Sequence, residues 1–347
     1  MADSNSNIAI IEDTSSATNS TPSIRASSRK NRVYVFRDFL LKTYGNHNNG
    51  SADCLLKPGA VMLDVAGGKG DLSWLLLNAD GIESIVLDPR SLASANHLIR
   101  SVHWLEEHPK EAKLRAVPSR LTHQPLAALV PMIIEKRDQR RQGQIADRQD
   151  KEFLEPRHLQ LKLDTALVEA IRQSIQEESV AATNRQHCPS TWLRFWDANM
   201  KSNCGQQVTA SEPCFLPESE RHQEVDAEQT IQNASEAWGL LQRIQLIVGF
   251  HPDQATEACL DLAVLLKVPV AIVPCCVFPS EFPDRRLEIE QENYDGAVTR
   301  TTTRVRDYHQ LLLYLQQKQP KLRKDTLAFH QTETSRNIVL YALPEEI

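Results

Sequence analysis

The chain has 347 residues, of which 41% are hydrophobic and 24% charged, enough for one sizeable α/β domain with insertions. A net charge of −6 excludes a uniformly basic nucleic-acid-binding surface, although a local basic face is compatible with an acidic total. Seven cysteines, an odd number with no C-x-x-C pair, argue against a disulfide scaffold and for a reducing intracellular compartment, cytoplasmic or nuclear.

The N-terminal stretch has no apolar h-region, and Asp3, Glu12 and Asp13 argue against a mitochondrial transit peptide. No apolar run approaches the ~18 residues of a membrane span, so no membrane association is expected. Residues 1–29 are rich in Ser, Thr and Asn and read as a disordered tail. In VYVFRDFLLKTYG the apolar residues Val33, Phe36, Phe39, Leu40 and Tyr44 recur at helical spacing, and Gly45 supplies the stop. AVMLDV (60–65) reads as a strand, AGGKG as a turn and DLSWLLLNA as a helix. ESIVLD (83–88) is a second strand, followed by a helical stretch over 91–107 and a third strand at LRAV (114–117). From 135 to 237 Gln, Glu, Arg, Asp and Asn dominate, which predicts one long polar insertion, partly helical over 158–182.

The apolar pattern resumes with a buried strand at IQLIVGF (244–250), a helix at ATEACLDLAVLLK and a buried strand at PVAIVPCCVF (269–278). A charged, Pro-containing loop (279–303) then leads to a helix at YHQLLLYLQQK and two short strands, TLAFH and NIVLYAL. Strand–helix alternation ending in two neighbouring strands predicts an α/β fold whose mostly parallel sheet has an antiparallel edge.

The most informative string is Asp64-Val65-Ala66-Gly67-Gly68-Lys69-Gly70-Asp71. A strand end, a glycine-rich turn and a helix start place backbone N–H groups around a ligand, and glycine admits close approach and positive φ. An acid before the glycines, Asp64, suits an ammonium. An acid closing the second strand, Asp88, suits the two hydroxyls of a ribose. The pair favours S-adenosylmethionine (SAM), a cation with an amino-acid end, over a pyrophosphate cofactor. Read as G-x-G-x-x-G from Gly68, the string has Ser73 in place of the third glycine, so a nicotinamide cofactor fits less well. A tight βα turn with no ligand is the plain structural alternative.

These residues resemble the class I SAM-dependent methyltransferases. Within them the chain is most similar to the branch containing the methyltransferase-like 25 proteins and the tRNA acceptor-stem ribose methyltransferases. AGGKG, GFHPDQATE and VPCCVF carry the likeness, which covers roughly residues 33–120 and 240–342. Ala66 stands where those relatives have their first glycine, and Val277-Phe278 stand where the tRNA enzymes have histidines.

The resemblance implies a Rossmann-like sheet of seven strands with the last antiparallel, helices on both faces and the polar insertion before strand four. Residues 30–134 and 238–347 would be the two parts of the SAM-binding domain. Asp64, Ala66, Gly67, Gly68, Lys69, Gly70 and Asp88 would hold the cofactor. The implied activity is methyl transfer, with RNA the first acceptor to consider and a small molecule or protein second. A non-catalytic methyltransferase-like binding module is the alternative, and a nicotinamide-dependent oxidoreductase the third reading.

Gly249-Phe250-His251-Pro252-Asp253 ends the fourth expected core strand, so His251 or Asp253 is a candidate to orient or deprotonate an acceptor. Asp253 equally suits a helix cap. Alternation along a strand allows at most one of Cys275 and Cys276 to face a pocket, and Cys276 is taken as the substrate-side candidate. Arg285 and Arg286, in the loop after strand five, could grip a phosphate or carboxylate of the substrate. Cys188, Cys204 and Cys214 have spacings that match no compact zinc set, and no metal is assigned. The aromatic string TWLRFW (191–196) serves either to dock the insertion on the core or to stack a base.

Overall fold

The computed structural model describes residues 23–45, 55–57, 59–92, 154–180, 188–206, 227–292, 298–328 and 336–347. Five short segments, all but β3 mainly apolar, form the parallel part of the sheet: β1 (Val61–Val65), β2 (Glu83–Leu87), β3 (Arg157–Leu159), β4 (Leu246–Phe250) and β5 (Val270–Val273). Downstream lie β6 (Arg286–Glu292), β7 (Val298–Arg304), β8 (Arg323–Thr326) and β9 (Ile338–Ala342). The seven-stranded sheet has the order β3-β2-β1-β4-β5-β9-β8, with β9 antiparallel to both neighbours. β6 and β7 pair separately as an antiparallel hairpin.

Side chains alternate across each strand, so the sheet makes two cores. On one face Met62, Val248, Ala271 and Val339 pack with Phe36, Leu40 and Tyr44 of helix α1 (Ser23–Tyr44) and with Leu72 and Leu76 of α2 (Asp71–Asp80). The opposite face presents Leu63, Ile85, Ile247, Ile272 and Leu340 to five further helices. These are α3 (Thr165–Val180), α4 (Ser190–Gln206), α5 (Ala227–Leu241), α6 (Thr256–Leu266) and α7 (Tyr308–Lys318). The expectation of a mostly parallel α/β sheet with an antiparallel strand near its end holds, and helices cover both faces.

Four expectations need revision. Helix α1 starts at Ser23, inside the stretch read as a tail. β3 (Arg157–Leu159) comes from the stretch read as a polar insertion, while the strand expected at LRAV (114–117) and most of the helix expected over 91–107 lie outside the described residues. The insertion stretch also supplies core: Leu167, Ile171, Trp192 and Trp196 are buried, and Trp192 packs on Trp238 just beyond it. The loop expected over 279–303 contains the β6–β7 hairpin, in which Leu287 is buried and Gln317 of α7 bonds both the N–H and the carbonyl of Glu288.

The TWLRFW string docks. Trp192 is fully buried, its ring centroid is 5.5 Å from that of Trp238, and its Nε1–H donates to the Ala234 carbonyl at 2.8 Å. Glu177 caps α4 by accepting from the Ser190 and Thr191 N–H groups, which hold its carboxyl down to about 2. Helix α1 is fastened to α2 by a buried bidentate ion pair, with Arg37 Nε and Nη2 at 2.7 and 2.5 Å from the two carboxylate oxygens of Asp80.

Candidate functional site

The strand order reverses between β1 and β4. The chain runs outward through β1, β2 and β3, then returns to β4 on the other side of β1. In open parallel sheets the crevice outside the carboxyl ends of strands at such a point is where ligands bind. Here it is a cleft of about 320 Å³, lined by residues that include Val65, Ala66, Asp88, Arg90, Lys162 and Asp253. That volume is within the range of small-molecule sites, roughly 300–1,000 Å³.

The glycine turn forms the cleft's edge. Ala66, Gly68 and Gly70 all have positive φ, at 51°, 61° and 79°, which turns the chain sharply from β1 into α2. For the alanine this conformation costs about 1–2 kcal/mol, because its Cβ crowds the carbonyl that follows it. Gly67 meets a different demand. A Cβ there would lie 2.6 Å from Asp64 Oδ2, so the turn closes over that carboxylate only without a side chain. Gly67→Ala is expected to destabilise the protein by about 1–3 kcal/mol through overpacking, read as a lower urea midpoint with an unchanged slope.

Asp64 is fully buried beneath the turn, on the sheet face shared with α2. Its Oδ2 accepts from Ser73 Oγ at 2.7 Å, and Ser73 Oγ accepts in turn from Ser84 Oγ at 2.7 Å. Oδ1 is buried with no partner. Burial pushes its carboxyl from the usual 3.8 up to about 7; the Ser73 bond opposes the rise, and the carboxylates of Asp88 and Asp71 add to it. Ser73, which stands where a dinucleotide fingerprint has glycine, is therefore the partner of the motif's first acid.

Asp88 stands at the carboxyl end of β2 and lines the cleft. Gly68 N–H donates to its Oδ2 at 2.9 Å. Arg90 donates from its backbone N–H and its Nε to Oδ1, and from Nη2 to Oδ2. Burial alone would raise this carboxyl, but the Arg90 and Gly68 hydrogen bonds outweigh it and hold it below the usual range. His158 Nε2–H donates to the Asp88 carbonyl at 2.7 Å, which ties β3 to the same corner.

Asp71 opens α2, where burial raises its carboxyl to about 6 against the pull of Lys69 and Arg32. Lys69 itself is exposed on the turn. The turn and both acids thus lie at one corner of the sheet, but of the three only Asp88 and the turn's Ala66 face the cleft; Asp64 lies behind Gly67.

At the end of β4, His251 and Asp253 both take positive φ, at 57° and 48°. The His251 N–H donates to the Val273 carbonyl, and its ring lies 4.6 Å from that of Phe250. Asp253 does not cap α6 through its side chain. The Thr256 hydroxyl bonds the Asp253 carbonyl, and the exposed carboxylate accepts from Cys275 Sγ at 3.0 Å. Strand β5 stops at Val273, so Cys275 and Cys276 lie beyond it and alternation does not separate them. The thiol and carboxylate groups of Asp253, Cys275 and Cys276 lie within 4.8 Å of one another.

Arg285 is turned inward. It is 4% exposed, its Nε donates to Glu257 at 2.8 Å and its Nη1 to the Val277 carbonyl at 3.1 Å. Arg286 is exposed on the hairpin, and neither arginine lines the cleft. Sequence reasoning missed Arg90 and Lys162. The first had a signal, an arginine two residues after the acid that ends β2. No protein-family model, curated protein or solved structure matches the chain.

Proposed function

We propose that the chain is a SAM-dependent methyltransferase of Rossmann-like architecture. The observation that carries the reading is the place of Asp88: a buried, ionised carboxylate at the end of β2, lining a cleft at the reversal of strand order and joined to the glycine turn by Gly68 N–H. The residues present fit the cofactor. Asp88 would accept from its ribose hydroxyls in place of the exposed Arg90 side chain. Asp64, behind Gly67 with its Oδ1 unpartnered, would act on the ammonium end through the turn and not by direct contact. When bound, SAM supplies an electrophilic methyl group on a sulfonium. The protein's part is to hold an acceptor in line with that methyl. His251, one residue before Pro252 of the cleft wall, is the proposed group to take the acceptor's proton.

RNA is the first acceptor to test, on the strength of the resemblance. Purified protein incubated with methyl-tritiated SAM and fractionated RNA, protein and metabolites is expected to label the RNA fraction, and Asp88→Ala to abolish that label. Label confined to another fraction would reassign the acceptor. Saturable SAM binding with no label anywhere would leave the binding-module reading.

A further inference from the structure

Outside the proposed cofactor cradle, the segment after β5 gathers ligand-type side chains. Among the described residues, Asp253, Cys275 and Cys276 are the group of three ligand-type side chains close enough to share one ion. Pro274 follows the last strand residue, Val273, and lacks the N–H that would continue the ladder. The two adjacent cysteines are thereby released from the strand's alternation and turn their sulfurs toward the same carboxylate.

We propose that Asp253, Cys275 and Cys276 form a three-ligand binding site for a zinc-type divalent cation at the border of the cleft. Two sulfurs and a carboxylate oxygen are the donors a borderline-soft ion takes, whereas magnesium and calcium take oxygen alone. Tetrahedral zinc with metal–sulfur bonds of about 2.3 Å needs sulfurs roughly 3.8 Å apart. Atoms already within 4.8 Å, with Cys275 Sγ 3.0 Å from Asp253 Oδ1, need only side-chain adjustment to reach that. Binding displaces both thiol protons to solvent, so the Cys275–Asp253 hydrogen bond gives way to two metal–ligand bonds.

The surroundings agree. Three non-glycine residues in the two segments that build the site, His251, Asp253 and Phe278, are held at positive φ, and such strain gathers at functional sites. Two thiolates and a carboxylate around a divalent ion leave one negative charge in excess. Arg90 acts electrostatically on Asp253 and Arg336 on Cys276, which offsets it. Three protein ligands leave a fourth position for water or a substrate atom, the arrangement of catalytic rather than structural zinc. Asp253 itself lines the cleft.

The full chain, purified without metal and titrated with CoCl2 in the absence of SAM, tests the site separately from the cofactor reading. The expected result is one equivalent of bound cobalt with a thiolate-to-cobalt charge-transfer band, displaced by ZnCl2. Cys275→Ser, Cys276→Ser and Asp253→Asn are each expected to weaken binding at least tenfold, with apo melting midpoints unchanged. A variant with Cys54, Cys188, Cys204 and Cys214 all replaced by serine is expected to keep the band. Absence of the band in the full chain, or its survival in Cys275→Ser/Cys276→Ser, would overturn the proposal.

Discussion

Asp80→Ala is expected to cost about 3–5 kcal/mol of stability, because it removes the two-pronged partner of a buried guanidinium, whose Nη1 keeps its 3.1 Å contact with Asp38. Arg37 and Asp80 are both 0% exposed and bonded through two parallel contacts. Asp80 also sits at the last position of α2, where the helix dipole disfavours an acid. It is tolerated there because Arg37 reaches it from α1. Removing the carboxylate leaves Nε and Nη2 of a 0% exposed guanidinium without the oxygens they are bonded to. Against a typical stability of about 5–15 kcal/mol, this is a large fraction. Urea unfolding followed by tryptophan fluorescence measures it. Replacing both partners by apolar residues of similar volume is expected to recover most of the loss, because no charge is then left buried.

Asp64 makes stability depend on pH in the direction opposite to an ordinary ion-paired carboxylate. Its folded value, about 7, lies above the usual 3.8, so the folded protein holds this proton longer than the unfolded chain does. The stability that results is fully present below about pH 4 and is lost as pH rises through about 7, at about 1.4 kcal/mol per pH unit. Asp71, raised to about 6, acts in the same direction. Asp88, held low, acts in the opposite direction, and only at more acid pH. Asp64→Asn keeps an oxygen for Ser73 and has no proton to lose. It is expected to match the wild type near pH 4 and to exceed it by up to about 4 kcal/mol at pH 8. Urea midpoints of the two proteins between pH 4 and pH 8 give the comparison, and parallel curves would contradict the account.

The legible part of the chain was the part whose local pattern and global role coincide. β1, α2 and β2 announce themselves as apolar runs joined by glycines, and the turn between β1 and α2 needs positive φ at Gly68 and Gly70. β3 was not legible. It is three residues at the sheet edge, set in charged sequence, and only its pairing with β2 makes it a strand. The β6–β7 hairpin hid for a related reason: Leu287 and Ile289 alternate with charges, and β7 is a run of β-branched threonines rather than of apolar residues. A period-two search allowing threonine would have found it. In the site, the acids were readable from their positions at strand ends, but their partners were not. Ser73 reaches Asp64 because α2 lies over β1, and Arg90 reaches Asp88 across the bend just after β2, two residues on. The convergence of Asp253 with both cysteines depends on where β5 stops, a boundary that the apolar run through Val277 and Phe278 concealed.

The proposed methyl transfer requires that the cleft beside Asp88 bind SAM. Calorimetric titration of the full chain with SAM, repeated with Asp88→Ala, tests it most directly. Each lost hydrogen bond to a charged carboxylate is worth about 1.5–3 kcal/mol, so the variant is expected to bind at least tenfold more weakly. Saturable one-to-one binding by the wild type that falls in this way is the predicted result. No saturable binding, or binding that Asp88→Ala leaves unchanged, would contradict the account.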